Sequence, residues 1–495
     1  MVFNSFEFII FLPVVVAVYY ALPVKVRYIW LLAASYFFYM SWEAVYGLLL
    51  LYSTAVSYAG GLVISRKRDS RIIKLYFAAF LVLVFAPLIF FKYTGFIFDN
   101  LNGIFLSLGT VAPLDPPEIL LPIGISFFTF QAAGYVIDVY RGTVESERNF
   151  LRFALFVSFF PQLVAGPIER TKNLLSQLKC NVSFDFDRAR DGLWLMLWGY
   201  TLKVVVADRI AIFVDTVYDD YYTYGGVYLI IASILFALQI YCDFAGYSTI
   251  AIGAAQILGI KLMDNFASPY NSCSVSDFWR RWHISLTSWF KDYVYIPLGG
   301  NRKGKVREYV NKLFVFALSG LWHGAEWSYV MWGALNGLWL VLEDMQRRLF
   351  SFAKGDKAPD AGRFPAGRIF RKGLTGILTF ILVDFAWIFF RAPSMEDALL
   401  ITENIAHTSN WNVLTDGSLF KCGLDCPNFI LLIIMIAVIF IVDGLALKGI
   451  RIRRKAAALP MPVRSLVTAA AVAFILLFGI WGGTYTAEAF IYFQF

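Results

Sequence analysis

The sequence predicts an all-α polytopic membrane protein. Of its 495 residues, 59% are hydrophobic and only 16% are charged, whereas soluble domains carry about 25% charged residues. Apolar runs long enough to cross a bilayer, which takes about 20 residues, recur along the whole chain. Basic residues collect in the short connections between these runs. These observations indicate about eleven or twelve transmembrane helices in a single membrane domain, residues 1–495.

The apolar runs follow one another in order. The clearest lie at 5–22, 28–64, 74–93, 119–137, 192–214, 226–260, 309–346, 374–391, 428–447 and 465–483. Two of them are interrupted, one near Ser41 and Trp42 and the other at His323. The first run continues through Pro23 into more apolar sequence without a small-residue cleavage signature, so we expect a retained helix and not a signal peptide.

The charge pattern predicts the orientation of the chain. Basic clusters are expected in the cytoplasm by the positive-inside rule, and they lie at 66–74, at 302–307, at 347–372, and at 448–455 followed by Arg464. The connection 394–427 carries five acidic residues against Lys421 and is expected outside. The run 465–483 then delivers an aromatic tail, residues 484–495, to the outer face. The formal net charge of +8 therefore indicates membrane topology and not a nucleic-acid partner.

Two cysteines lie close together in the connection expected outside. Cys422 and Cys426 are candidates for a disulfide, because an oxidising compartment permits one. Their spacing is equally compatible with two separate thiols. The sequence contains no metal-binding pattern, and we expect no metal cofactor.

His323 is one of only three histidines, and it lies at expected membrane depth. Glycines on both sides, Gly320 and Gly324, predict a broken helix. Broken backbone inside a membrane is tolerated only where protein or a water-filled cavity satisfies its polar groups. A neutral imidazole in such a cavity could take a proton from a hydroxyl that attacks an acyl carbonyl. The alternative is a structural histidine that bonds a backbone carbonyl between packed helices.

A second candidate site is the segment 277–300, which is too charged to span lipid and too aromatic for a free loop. We expect it to form helices that lie in the interface or enter the membrane partway. His283 could then line a tunnel. Arg280, Arg281 and Lys291 could bind the phosphates of an acyl donor, or they could anchor the chain to anionic membrane lipid.

Four aspartates also lie at expected membrane depth, namely Asp138, Asp243, Asp384 and Asp443. Each is expected to be a partnered structural group, because an isolated charge in the bilayer is costly. Asp243 lies among small and polar residues that permit close helix approach, so we expect it to support the pocket.

These motifs resemble the membrane-bound O-acyltransferase family, in its bacterial branch of alginate and peptidoglycan O-acetyltransferase membrane subunits. The resemblance covers nearly the whole chain, and its motifs lie at 1–5, 122–131, 160–168, 239–248, 282–302 and 321–324. Two positions depart from the alginate-type pattern, which often has Asp where this chain has Thr249 and His where it has Asn336. These two departures from the alginate-type pattern bear on which acceptor the protein uses.

The resemblance implies the fold, the active site and the substrates. It implies a central funnel through the membrane, with an acyl donor, acetyl-CoA, on the cytoplasmic side. His323 corresponds to the catalytic histidine of the family, and His283 corresponds to the second histidine of the active-site tunnel. The expected activity is O-acetylation of an extracytoplasmic polysaccharide, alginate-like or peptidoglycan, together with a partner acetyltransferase. The expected location is the bacterial inner membrane.

The aromatic tail 484–495 has two interpretations. It could belong to the aromatic belt at the outer interface. By resemblance to the D-alanylation system, where a partner peptide ends in a similar motif, Tyr492 is a candidate acyl carrier fused to the enzyme. A tyrosyl ester has a good leaving group, with a phenol pKa of about 10, and would divide the transfer into two steps.

Two other functions remain alternatives. Within the acyltransferases, the alternative is transfer of D-alanine to teichoic acid. Outside them, the alternative is a membrane transporter without acyl-transfer chemistry, since broken helices also occur in transporters. Transport is disfavoured by the absence of detectable internal repeats and by the order of the histidine motifs.

Overall fold

The computed structural model describes residues 1–67, 71–110, 114–115, 117, 119–164, 166–354 and 365–481. Within these ranges the chain is α-helical with shorter 3₁₀ and π segments, and it forms no strand. Six helical segments are long and apolar enough to cross a membrane: 46–66, 73–107, 227–257, 370–391, 426–447 and 461–478. This confirms an all-α polytopic membrane protein. The larger number of crossings stays a prediction, because several other apolar runs form shorter or interrupted helices.

The described chain packs as two compact units. The first contains residues 1–200 and 246–264, and the second contains residues 201–245 and 265–481. The single membrane domain expected from the sequence stays a prediction.

The first unit contains the N-terminal helices. They are α1 Phe6–Ala21, α2 Arg27–Met40, α3 Tyr46–Arg66, α4 Ile73–Leu88, α5 Thr94–Ser107, α6 Ile125–Arg141, α7 Phe150–Ser158, α8 Phe160–Leu163, α9 Thr171–Gln177 and α10 Phe186–Tyr200. The interval between α2 and α3 confirms the predicted interruption near Ser41 and Trp42. Small residues let α3 approach α6, because a Cβ at Gly61 would lie 2.5 Å from the Tyr135 hydroxyl.

The second unit holds the histidine motifs. Its helices are α11 Asp208–Asp219, α12 Val227–Ile257, α13 Val275–Arg281, α14 Ile284–Phe290, α15 Lys305–His323, α16 Trp327–Lys354, α17 Pro365–Arg391, α18 Met395–Ala406, α19 Cys426–Leu447, α20 Ile452–Ala457 and α21 Met461–Phe478. The C-terminal part of α12 belongs to the first unit. A π-helix at Thr201–Ala207 precedes α11, and another at Lys291–Tyr295 follows α14.

The predicted break at His323 is confirmed, because α15 ends at His323 and α16 begins at Trp327. The two helices pack at backbone contact distance. A Cβ at Gly320 would lie 2.1 Å from the carbonyl oxygen of Tyr329, and one at Gly333 would lie 2.1 Å from the carbonyl oxygen of Phe316. Glycine is therefore required for this approach.

Several connections are more structured than the sequence indicated. The run 74–93 continues without interruption to Ser107 through a π segment at Ile89–Tyr93. The acidic connection 394–427 contains α18 and two 3₁₀ turns. Cys422 and Cys426 are separate thiols, one buried and one exposed. Of the two alternatives left open by the sequence, a disulfide and two separate thiols, the structure has the separate thiols, and the Cys422 sulfur lies 3.8 Å from the Ser418 carbonyl oxygen.

Candidate active site

His323 is the last residue of α15, and its side chain is 4% exposed. Its ring Nδ1 lies 2.7 Å from the backbone carbonyl oxygen of Ser319, one turn earlier on the same helix. A carbonyl oxygen can only accept a hydrogen bond, so Nδ1 must carry the proton. In the neutral ring the lone pair then lies on Nε2. The helix end thus fixes the tautomer that a general base needs.

Aromatic rings surround His323. The ring centroid of His323 lies 4.8 Å from Trp322, 4.9 Å from Trp332 and 5.6 Å from Phe390. All three contacts are edge-on, with interplanar angles of 69° or more. Such packing excludes water and restricts the ring to one orientation, which strengthens electrostatic interactions at the site.

His283 is fully buried in the short connection between α13 and α14. Its backbone is left-handed, with φ of 42° and ψ of 54°, a conformation that few residues other than glycine adopt. Asn265 holds this turn from two sides. Its backbone carbonyl accepts the Ile284 N–H at 2.9 Å, and its side-chain oxygen accepts the Ser285 N–H at 3.2 Å.

The same Asn265 oxygen lies 3.2 Å from Nδ1 of His283. Because the Ser285 backbone N–H identifies this atom as an acceptor, His283 must donate from Nδ1 and carry its lone pair on Nε2. His283 therefore has the same tautomer as His323. Strained backbone at a buried polar residue is a feature that functional sites often show.

The two predicted histidines come together in the second unit. Their ring centroids are 6.4 Å apart with an interplanar angle of 74°, and the Trp322 ring contacts both. Phe244 of α12 packs edge-on against His283 at 4.6 Å. The His323 break and the His283 segment, which are 40 residues apart in the sequence, thus form one site.

A cavity of about 190 Å³ begins close to this site. Aromatic and aliphatic side chains form most of its wall, and it reaches Ser319, whose carbonyl holds His323. Lys291 and Lys312 add two cations to the lining. Lys312 pairs with Glu308 at 2.8 Å, whereas no ion pair to Lys291 occurs within the described residues. The cavity therefore combines mostly apolar walls with two cationic side chains.

The other two predicted cations lie elsewhere on the segment. Arg280 is 3.5 Å and Arg281 3.1 Å from carboxylate oxygens of Asp277, one turn away on α13. Arg281 also donates to the Ala267 carbonyl at 3.4 Å. Neither arginine lines the cavity that Lys291 lines. The structure therefore separates Lys291 from the two arginines with which the sequence grouped it.

A buried ion cluster lies in the same unit. Lys203, in the π-helix before α11, places its Nζ 2.8 Å from Asp208 and 2.6 Å from Asp243, and all three side chains are at most 3% exposed. Asp243 precedes Phe244, the residue that packs on His283. The cluster thus supports the predicted role of Asp243 as a partnered group that fixes α12 beside the site.

The predictions for two other aspartates are also confirmed. Asp384 accepts a hydrogen bond from Ser233 at 3.0 Å. Asp443 accepts one from Tyr241 at 3.0 Å.

Asn336, one of the two departures from the family pattern, is buried and accepts the Trp279 indole N–H at 3.1 Å. It therefore orients an aromatic side chain that lines the cavity next to the site.

Tyr492, the predicted acyl carrier, lies outside the described residues. The structure also adds residues that the sequence analysis missed, namely Asn265, Lys203, Asp208, Lys312 and Ser319. Ser319 was within reach of sequence reasoning, since a histidine at a helix end lies over the carbonyl four residues earlier. The others depend on contacts between distant segments.

Comparison with known proteins identifies the class. The sequence profile of MBOAT, the membrane-bound O-acyltransferase family, matches residues 145–365. Together with relatives that are more than 30% identical over most of their length, this match shows that the chain belongs to the family. The protein is a multi-pass membrane O-acyltransferase.

Individual members of the family are similar to the chain to different degrees. The chain is 37% identical to the probable alginate O-acetylase AlgI of Pseudomonas aeruginosa over 440 residues, which is 88% of this chain and 81% of the relative. It is 34% identical to the peptidoglycan O-acetyltransferase of Helicobacter pylori, over 82% of this chain and 80% of the relative. The similarity to the teichoic acid D-alanyltransferase of Bacillus subtilis is weaker, 28% over 50% of this chain and 67% of the relative.

Proposed function

We propose that the protein transfers an acetyl group from a cytoplasmic thioester to a hydroxyl group, for O-acetylation of an extracytoplasmic polysaccharide. The names of the relatives that match most of the chain, an alginate O-acetylase and a peptidoglycan O-acetyltransferase, support this activity. The observation that carries the proposal is the His323 tautomer, because Nδ1 donates to the Ser319 carbonyl and the basic lone pair of the neutral ring is therefore on Nε2. The expected location is the bacterial inner membrane.

In the proposed acetyl transfer, His323 acts first as a general base and then as a general acid. Nε2 of His323 takes the hydroxyl proton while the hydroxyl oxygen attacks the acetyl carbonyl carbon. The C–O bond forms, the tetrahedral intermediate collapses, and the C–S bond breaks. The departing thiolate takes the proton from the His323 imidazolium, so the products are an acetyl ester and a free thiol. Nδ1 remains bonded to the Ser319 carbonyl throughout, and this bond stabilises the imidazolium.

His283 acts as a second group at the reaction centre. Its ring is within 6.4 Å of the His323 ring, measured between centroids, and its lone pair is on Nε2. We propose that it orients the reacting hydroxyl or the donor carbonyl. Two neutral imidazoles can share such a site, whereas two imidazolium ions at this distance would repel each other.

Acetyl-CoA is the proposed donor. The cavity beside Ser319 offers apolar walls to the pantetheine arm, and Lys291 and Lys312 offer charge to phosphate oxygens. Arg280 and Arg281 remain proposed contacts for the donor. Since both pair with Asp277, a bound phosphate would compete with that carboxylate. This competition makes Lys291 the stronger candidate of the three.

The proposal includes a relay through Tyr492. In the first transfer the Tyr492 phenol is the hydroxyl that attacks the thioester. In the second, a hydroxyl on a partner acetyltransferase, or the polysaccharide hydroxyl itself, attacks the carbonyl carbon of the tyrosyl ester; its new C–O bond forms, the bond from that carbon to the Tyr492 oxygen breaks, and the departing phenolate takes the proton that the attacking hydroxyl loses. The ordinary benefit of covalent catalysis, two easier steps in place of one, applies here.

The proposed function predicts that His323→Gln abolishes most acetyl transfer. We expect turnover of purified full-length protein in lipid nanodiscs, measured with radiolabelled acetyl-CoA, to fall by about 10²- to 10⁴-fold, the usual contribution of a general base. The chain offers a matched control in His407. This exposed histidine also contacts the carbonyl four residues earlier, Glu403, with its Nδ1 at 3.0 Å.

His407→Gln should keep full activity and thermal stability. Equal activity of the His323→Gln variant and the wild type would contradict the assignment. Loss of activity in both variants would indicate a folding defect and not a catalytic role, and circular dichroism distinguishes that case. Offering a D-alanyl thioester alongside the acetyl thioester tests the alternative donor, and preferential D-alanyl transfer would overturn the acetyl assignment.

A further inference from the structure

A second cavity, in the first unit, is not used by the proposed reaction. Its volume is about 440 Å³. It lies at the turn between α1 and α2, at the start of α7, and beside the segment that follows α9. Four cationic side chains line it, Lys25, Arg27, Arg152 and Lys179. No carboxylate is among its lining residues in the described part of the chain.

Hydrogen bonds to the backbone hold the Arg27 side chain in place at this cavity. Its guanidinium donates to three backbone carbonyls, those of Val182 at 2.6 Å, Leu22 at 3.0 Å and Tyr20 at 3.2 Å. These bonds connect the α1–α2 turn to the segment after α9, two parts of the chain about 155 residues apart. Its guanidinium carbon also lies 5.2 Å from the centre of the Tyr19 ring and 5.5 Å from that of the Tyr20 ring. All of these partners are neutral, so none of them cancels the net positive charge of Arg27.

Arg152 contributes a buried donor. Its guanidinium carbon lies 5.3 Å from the centre of the Tyr28 ring. Its Nε is buried, and no hydrogen-bond acceptor reaches it within the described residues. A buried, unsatisfied donor on a charged group is costly. The atom therefore marks a position where an anion would be favourable.

The remaining two lysines differ in their partners. Lys179 pairs with Glu147 at 2.6 Å. Lys25 is exposed at the cavity, and it has no ion pair in the part of the chain that the structure describes. Among the residues that the structure describes, the four cations therefore have one ion-pair partner, Glu147, and the excess of positive charge is concentrated at a single concave site. Such a site attracts an anion with several oxygen atoms.

The size, the lining and the expected location of the cavity limit which anions it could bind. Its volume falls in the range of small-molecule sites, about 300 to 1,000 Å³, and is larger than a bare anion needs. Part of the wall is apolar, formed by Leu31, Leu155 and Ile260.

The α1–α2 turn is expected on the same side of the membrane as the basic cluster 66–74, because α2 and α3 together return the chain to that side. The expected side is therefore the cytoplasmic one.

We infer that this cavity is a binding site for a phosphate ester. Lys25 and Arg152 bind the phosphate oxygens, Arg27 supplies fixed positive charge, and the apolar wall receives the esterified carbon skeleton. Two sources have this chemistry, the head group of an anionic phospholipid in the adjacent leaflet and a soluble phosphorylated metabolite. The inference does not depend on the proposed acetyl transfer.

The test uses purified full-length protein in a nonionic detergent after removal of bound lipid. Binding is measured by native mass spectrometry and by the thermal unfolding temperature, with phosphatidylglycerol, phosphatidylcholine and glycerol 3-phosphate as probes. We expect a saturable 1:1 complex with phosphatidylglycerol, or with glycerol 3-phosphate if the source is soluble, and weaker binding of the zwitterionic lipid. Lys25→Gln and Arg152→Gln should each weaken binding by about tenfold or more, because each removes a charge-assisted hydrogen bond.

The matched control is Lys172→Gln, which removes an exposed lysine of α9 that does not line the cavity, and its affinity should equal that of the wild type. Lys25 is exposed, so Lys25→Gln tests the site even if Arg152→Gln proves unstable. Binding that is unchanged in Lys25→Gln, or reduced equally by Lys172→Gln, would overturn the inference. So would equal affinity for phosphatidylcholine and phosphatidylglycerol combined with no binding of glycerol 3-phosphate.

Discussion

At the scale of single residues, the two histidines of the site are prepared in the same way. Each donates from Nδ1 to an oxygen that can only accept, the Ser319 carbonyl for His323 and the Asn265 side chain for His283. Each therefore carries its lone pair on Nε2. His323 obtains this arrangement from its own helix, whereas His283 requires Asn265, 18 residues earlier. In each histidine, the hydrogen bond that Nδ1 donates thus decides that Nε2 is the basic nitrogen.

His283 also has a backbone requirement that can be tested separately from its chemistry. Its φ of 42° lies in the left-handed region, which asparagine tolerates well and β-branched residues tolerate poorly. We expect His283→Val to be less stable than His283→Asn by about 1–2 kcal/mol, measured by thermal unfolding. Both variants should lose acetyl transfer, because neither has an imidazole.

The comparison of these two variants separates fold from function at one position. Full acetyl transfer in His283→Asn would show that the imidazole is dispensable. Equal unfolding temperatures for the two variants would show that the left-handed backbone imposes no cost there. Wild-type protein in the same nanodiscs is the reference for both measurements.

At the scale of helices, the break between α15 and α16 positions the site. An uninterrupted helix would bond every backbone group internally, whereas here α15 stops at His323 and α16 starts four residues later at Trp327. The two helices then pack through glycines, with the backbone of one against the backbone of the other. Close packing of this kind is how membrane helices associate where the hydrophobic effect cannot drive them.

Gly320→Ala should therefore disturb the site without removing any functional group. The added Cβ would lie 2.1 Å from the Tyr329 carbonyl oxygen, so α15 and α16 must separate. We expect a loss of about 1–3 kcal/mol, as for overpacked cores, and a lower rate of acetyl transfer. Thermal unfolding and turnover in nanodiscs measure the two effects.

The control is Gly444→Ala in α19, where an added Cβ meets no atom within 4 Å among the described residues. This variant should match the wild type or be slightly more stable, because alanine favours helix more than glycine. Equal behaviour of Gly320→Ala and Gly444→Ala would contradict the role given to close packing.

At the scale of the whole molecule, charge and hydrophobicity predict how the chain lies in the membrane. The basic clusters, which are expected in the cytoplasm, and the acidic connection 394–427 together predict that the tail 484–495 lies on the outer face, where an acceptor or a partner would meet it. The structure describes the chain as far as residue 481. The role of the tail therefore remains a proposal that activity measurements must test.

The relay predicts that Tyr492→Phe abolishes polysaccharide acetylation, because phenylalanine lacks the hydroxyl that would form the ester. Acetylation is measured in cells in which the protein level is equal for all variants. Tyr485→Phe is the matched control, since it removes a hydroxyl from the same tail, and acetylation should be unchanged. Wild-type acetylation in Tyr492→Phe would end the relay while leaving the His323 assignment intact.

The sequence by itself determined the membrane class and the break at His323. These features depend on local composition and spacing, which a single chain displays directly. The pairing of His323 with His283 was predicted from the resemblance to the family and not from local spacing. The partnered state of Asp243 was also predictable, because an unpaired charge at membrane depth is costly. The identity of its partner was not.

Only the tertiary structure decided which distant residues complete the site. Lys203 reaches Asp243 from a π-helix, Asn265 fixes the turn and the tautomer of His283, and Lys312 joins Lys291 at the cavity. It also separated Lys291 from Arg280 and Arg281, which turn back to Asp277. The physical reason is that such contacts depend on how helices pack and where each side chain points, and linear spacing does not encode the partner of a residue many turns away.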